Sequence, residues 1–341
     1  MKIDRKFIAE KAGVSVTTVT CVLNGTRPVS QKMYDRVMKV VEEYHYVPDA
    51  VARAMVHKGS KQICVVMDDI KNPFMSEFLD AFENAGIQRG YFVNICGRMN
   101  IAKYVEHMVA RRVDAVYFCT ELFEEDLPYI ETLLNNGVKV MTQMCFPYFK
   151  GRISQIGMQT KQAVTSGMEY LMRMGHTKIG FLTIFSDDNE KDERLTEYKR
   201  IMRERLGVEN PIYYVPPVTV SASIRSGKEL FTAFMRNNPD VTAIFCLNDI
   251  IAIGAMRAAQ DMGYRVPEHL SFIGIDGIEM SSVVAPRLTT FLSHASDFGE
   301  KALDILVNMV EKDIITNYDH PMELFVQESV RSLLPKGDDA L

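Results

Sequence analysis

Over the first 45 positions, apolar residues recur at three- and four-residue intervals in three short blocks. The first block, Arg5–Ala12, places Ile8, Ala9 and Ala12 on one face. The second, Val16–Asn24, turns Val19, Val22 and Leu23 inward and ends at Asn24-Gly25. In the third, Ser30 stands where a helix N-cap belongs, and Met33, Val37, Val40, Val41 and Tyr44 follow at helical spacing. Pro48 stops the pattern, and 49–57 reads as a short helix with Asp49 at its N-cap. Beyond residue 62 the rhythm changes. Short apolar runs at 63–67, 92–95, 115–119, 138–141, 179–182, 212–215, 243–247 and 271–275 alternate with longer amphipathic segments. That alternation predicts βαβ units and parallel sheets. Eight or so units fit a closed barrel or two doubly wound subdomains, and periodicity does not choose between them.

The first two blocks carry a candidate chemistry. Residues 8–24 fit a helix-turn-helix. Ala9 is small where the second helix crosses, and Gly13 permits the left-handed backbone of a tight turn. Val14, Val19 and Val22 close the core, while Ser15 can cap the second helix and leave its first side chains facing a major groove. An αα-corner with no nucleic-acid partner fits the bare Ala-x3-Gly-x5-Val spacing equally well. Charge points toward DNA. Residues 1–61 hold eleven Lys and Arg against six Asp and Glu, whereas the rest holds 28 against 38, within a total of −5. A basic end on an acidic body suits a polyanion partner at one end only.

Length and composition set the frame. A chain of 341 residues, 47% hydrophobic and 24% charged, is globular and holds two or three folding units. The first 60 residues lack the apolar core of a secretory signal, and no apolar run is long enough for a membrane helix, so a cytoplasmic protein is expected. Cys21, Cys64, Cys96, Cys119, Cys145 and Cys246 are far apart, as expected of reduced thiols. The seven histidines show no metal-ligand spacing, and His176 reads as structural. No phosphate-binding loop, Gly-x-Ser-x-Gly or His-Glu-x-x-His occurs, so neither a metal, a cofactor nor a catalytic role is expected.

Longer stretches carry a family resemblance. Ile8 to Ser15, Val22-Leu23-Asn24-Gly25 and Tyr46 to Met55 resemble the headpiece and hinge of the lactose-repressor (LacI) family. The likeness continues through Asn72-Pro73-Phe74, Gly175 to Phe181, Ala243 to Asp249, Val266 to Ser271, Gly274-Ile275-Asp276 and Pro286 to Thr290. It implies an all-α helix-turn-helix headpiece over 1–47 and a hinge helix and linker over 48–61. It further implies a periplasmic-binding-protein-like core of two doubly wound parallel-sheet subdomains, one from 62–158 and 292–321, the other from 159–291 and 322–337.

The family likeness also implies roles. Val16, Thr17 and Cys21 fall where relatives touch bases, though many of those carry Arg or His at the Cys21 position. Thr17 or Thr18 can bond to bases or phosphate, and Ser15, Thr20, Asn24 and Ser30 are expected to contact the backbone. Met55 falls at the minor-groove wedge, with Ala52 and Arg53 along the groove. Arg194 and Asp276 match effector-binding residues, Asn248 the polar residue after its strand, and Phe74 an aromatic wall. The sequence departs from the usual pattern at Glu197 (commonly Gly), at Gln159-Thr160 (commonly Asp-Asn) and at Met144-Cys145 (often Asp-Arg). The expected protein is a transcriptional regulator, not an enzyme: a homodimer on a pseudo-palindromic operator in double-stranded DNA, acting as a repressor. Its effector is a small molecule, a sugar or sugar derivative. The short segment at 333–337 provides no tetramerising heptad.

Overall fold

The computed structural model describes residues 3–25, 27–47, 59–68, 70–120, 122–143, 147–185 and 192–335. The expected hinge helix at 49–57, with Ala52, Arg53 and Met55, lies outside the described residues, as does the Met144-Cys145 pair.

Three helices form the headpiece: α1 (Arg5–Ala12), α2 (Val16–Asn24) and α3 (Gln31–Glu43). Asp4 caps α1 by accepting from the Lys6 and Phe7 amides, both at 2.9 Å. Gly13 ends that helix at φ 61°, and its N–H reaches back to the Ala9 and Glu10 carbonyls. Ser15 Oγ caps α2 by accepting from Thr18 N at 3.0 Å. Ser30 occupies the N-cap position of α3, but its hydroxyl makes no capping bond. Ile8, Ala9, Ala12, Val19, Val22, Val37 and Val40 form one small core. Phe7 meets Tyr44 edge-to-face beside it. One sequence expectation shifts here: Met33 is 45% exposed and lies off the core face, whereas Leu23, half-buried, packs against that core as expected.

The core comprises two open six-stranded sheets, so the barrel is excluded. The first runs β11 (Asn317–His320), β5 (Ser154–Met158), β4 (Lys139–Thr142), β3 (Ala115–Cys119), β1 (Gln62–Met67), β2 (Phe92–Gly97), all parallel. In the second, β12 (Glu323–Phe325) pairs antiparallel to β10 (Thr289–Leu292) at the edge. Then β9 (Ser271–Asp276), β8 (Ala243–Cys246), β6 (Ile179–Leu182) and β7 (Ile212–Tyr214) continue in parallel.

Both faces of each sheet are covered, which is why the inner strands read as apolar runs. Cys64 and Val66 pack with Val105 of α5 (Ile101–Ala110) and Ile130 of α6 (Leu127–Asn135). Ile63 and Val65 face α4 (Pro73–Gln88) and α11 (Ala295–Lys312) on the other side. Around the second sheet, α7 (Thr160–Arg173) and α8 (Glu193–Leu206) share one face, α9 (Ile224–Met235) and α10 (Asp249–Asp261) the other. The chain passes between the sheets three times, after β5, after β10 and between β11 and β12. His176 is fully buried in the turn before β6, bonded to Thr242 Oγ1 at 2.9 Å and to the Arg331 carbonyl at 3.1 Å. Among the described residues, no helix is long and apolar enough to cross a membrane.

Candidate functional site

The carboxyl ends of the parallel strands of both sheets open into one cleft of about 1500 Å³. This is where open α/β sheets place ligands, because strand ends and helix N-termini converge there. β1 delivers Asp68, β3 Thr120 and β9 Asp276, while the starts of α4, α8 and α10 deliver Asn72, Asp192 and Asn248.

Asp276 sits at the centre. Its backbone is left-handed at φ 122°, followed by Gly277 at φ 72°. Asp249, fully buried at the first turn of α10, holds this unusual turn. Its Oδ2 accepts from Gly277 N at 2.8 Å and Ile278 N at 3.0 Å, and its Oδ1 pairs with Thr290 Oγ1 at 2.5 Å. Gly274 on β9 has no Cβ because Asp249 Oδ1 occupies that space. Burial, together with the charge of Asp276, pushes the Asp249 carboxyl well above the carboxylate range, despite those three bonds. Burial pushes Asp276 up to about 7, against the opposing pull of Asn72 and Arg194.

Asn72 joins the two lobes. Its Oδ1 caps α4 by accepting from Phe74 N at 3.1 Å, and its Nδ2 donates across the cleft to Asp276 Oδ2 at 3.4 Å. Arg194 is brought beside Asp276, but its Nε is already held by Asp192 Oδ1 at 3.0 Å, so a free two-nitrogen fork is not what it presents. Asn248 lines the cleft with its Oδ1 committed to capping α10 through Ile251 N at 3.1 Å. Phe74 also lines the cleft, and at 2% exposure most of its ring packs against Phe298 in the core. The half-buried aromatics at the cleft are Phe123, under the Arg98 guanidinium at 4.8 Å, and Phe185, beside Arg194 at 5.8 Å. Glu197, at the usual glycine position, is a lining residue with its carboxylate held below its ordinary range by Arg200.

On the headpiece, Ser15, Val16 and Thr17 are exposed at the start of α2, Thr18 and Cys21 half so. The Thr20 hydroxyl is turned back to the Val16 carbonyl at 2.9 Å. Asn24 keeps both amide atoms shielded from solvent and without a hydrogen-bond partner among the described residues. Ser30 is exposed.

A two-lobed ligand-binding core and a helix-turn-helix on one chain define a ligand-responsive DNA-binding regulator. Residues 6–49 match the model of bacterial regulatory proteins of the lacI family, and residues 168–330 match that of the periplasmic binding protein-like domain. The chain is 32% identical to the HTH-type transcriptional repressor PurR of Aliivibrio salmonicida, over 90% of this chain and 92% of that one. It is 29% identical to the ribose operon repressor of Halalkalibacterium halodurans, over 95% and 96% of the two chains. A lac repressor dimer bound to operator and the anti-inducer ONPF has the same fold, with a TM-score of 0.82 at 24% identity, covering 97% of this chain and 100% of that one. The chain belongs to the lacI family of bacterial regulatory proteins, and these relatives are transcriptional repressors, not enzymes.

Proposed function

We propose that this protein is a cytoplasmic, homodimeric repressor that binds a pseudo-palindromic operator and changes its operator affinity when a sugar or sugar derivative enters the cleft. The observation that carries this reading is the Asn72–Asp276 bond, which spans the lobes inside the cleft. A ligand competing for those two groups changes the balance between lobe arrangements. The first lobe follows directly on the hinge segment at 48–61, so a change in lobe orientation is delivered to the DNA-binding end. Val16 and Thr17 contact bases, Ser15, Thr18, Thr20, Asn24 and Ser30 the backbone, and Cys21 packs on a base edge. Met55 wedges the minor groove, with Ala52 and Arg53 beside it. Arg194, Asp276 and the free amide nitrogen of Asn248 hold the ligand, with Phe74 as its apolar floor. The ribose operon repressor among the relatives supports the sugar class. Selection of bound fragments from genomic DNA by the intact protein tests the DNA half. An enriched inverted repeat whose affinity falls steeply with salt is expected; enrichment of no inverted repeat overturns it.

A further inference from the structure

The charges in the cleft are sorted in a way that bears on what can enter it. Three guanidinium groups line the space, and each is matched to a buried carboxylate. Arg98 Nη2 donates to Asp126 Oδ2 at 2.7 Å, and Arg194 Nε to Asp192 Oδ1 at 3.0 Å. Arg200 donates to both oxygens of Glu197, at 2.6 and 2.9 Å. Lys161, at the rim, stands 4.0 Å from the same Glu197. The other lining carboxylates, Asp68, Asp276, Asp319 and Glu193, form no ion pair among the described residues. An anionic ligand therefore meets guanidinium charges already balanced by buried carboxylates, together with four further carboxylates that oppose it.

Two buried polar atoms of this arrangement have no hydrogen-bond partner: Asp192 Oδ2 and Arg98 Nε. Asp192 is 8% exposed, and its other oxygen is occupied by Arg194. The two come from opposite lobes, Arg98 directly after β2 and Asp192 at the N-cap of α8. One atom can only accept and the other only donate. A buried polar atom left unmatched is costly, so such atoms at a cleft mark groups that a ligand completes.

We propose that Asp192 and Arg98 are two ligand contacts, one from each lobe, and that they select an uncharged hydroxylated ligand over its phosphorylated or carboxylated forms. Asp192 Oδ2 accepts from a ligand hydroxyl, and Arg98 Nε donates to a hydroxyl or ring oxygen. A hydroxyl, being donor and acceptor at once, serves both ends, whereas a phosphate serves only the arginine. This rests on the cleft being the effector site.

The test is calorimetric titration of the intact protein with D-ribose, D-glucose and cellobiose, and with D-ribose 5-phosphate, D-glucose 6-phosphate and D-gluconate, beside the same compounds in an operator-binding assay. A neutral sugar is expected to bind, with its phosphate at least about 100-fold weaker. Asp192→Asn puts an N–H₂ where the acceptor stood, and Arg98→Lys keeps the charge toward Asp126 but removes Nε. Each is expected to weaken the neutral sugar roughly 10- to 100-fold, as the loss of one charged hydrogen bond implies. Ligand-free melting close to wild type verifies folding. A phosphate that binds as tightly as its parent sugar, or two variants with wild-type affinity, overturns the proposal while the effector-site reading stands. If none of these compounds binds or shifts operator affinity, the sugar-effector reading falls and this inference falls with it.

Discussion

Asp249 offers a test of how the cleft is held in shape. Its carboxyl is fully buried and meets three hydrogen-bonding groups: two backbone N–H groups, which can only donate, and the Thr290 hydroxyl, which can do either. Burial and the nearby Asp276 both favour the protonated carboxyl of Asp249, and asparagine is close to an isosteric copy of that form. Its carbonyl can take both N–H bonds and its amide can donate to Thr290 Oγ1. Asp249→Asn is therefore expected to change stability by less than about 1 kcal/mol. Asp249→Ala leaves the two N–H groups and the 0%-exposed Thr290 unmatched, at about 1–3 kcal/mol each before the relief of no longer burying a carboxyl, for a net loss of about 3–5 kcal/mol. Denaturant midpoints of both variants at pH 7 measure this. An asparagine variant as unstable as the alanine one would refute the reasoning, because it would show that the ionised carboxylate is what the turn needs.

The raised Asp276 value, about 7, and the raised Asp249 value both mean that the folded chain keeps protons the unfolded chain releases near pH 4. Their contribution is therefore greatest below that pH and declines as pH rises toward 7, by up to about 1.4 kcal/mol per pH unit for each group. His176 and His320, whose values burial lowers, act in the opposite sense as their unfolded forms gain protons below about 6.5. The comparison of wild type with Asp276→Asn between pH 5 and 7 isolates the aspartate: the variant should gain relative stability as pH rises, and parallel pH profiles count against it. In the headpiece, Gly13→Ala forces a side chain into φ 61° with its Cβ 2.5 Å from Arg36 Nη2. Faster hydrogen exchange in α1 and α2 of the intact protein, by about 1–2 kcal/mol, is expected, and unchanged protection contradicts the turn assignment.

Much of this was legible in the sequence, and the remainder has physical reasons for being hidden. Residues 63–67, 115–119 and 243–247 announce themselves because central strands of a parallel sheet are buried on both faces. β11 and β12 are edge strands with one side open, so Asn317–His320 and Glu323–Phe325 carry no apolar run. Arg194 and Asp276 were found through family motifs, and the structure brings them together. Asn72 showed only as part of the family-like Asn72-Pro73-Phe74, and its reach to Asp276, 204 positions away, is a property of the folded pair of lobes. Asp192 and Arg98 have no local signature: each is an ordinary charged residue until its buried partner occupies one side of it. Phe74 serves both ends, since an aromatic at the mouth of a helix can line a cleft with one edge while the rest of its ring packs in the core.

The central claim is that one ligand in the cleft governs DNA binding at the other end of the chain. The most direct measurement is operator affinity, titrated with the sugar that binds best, for wild type and for Arg194→Ala and Asp276→Ala. Wild type should show a saturable shift in operator affinity, and DNA should change sugar affinity by the same factor. Arg194→Ala should bind operator as wild type does without sugar, and both variants should have the sugar midpoint moved roughly 10- to 150-fold higher. An unchanged midpoint in both variants, or a sugar that binds without altering operator affinity, contradicts the claim.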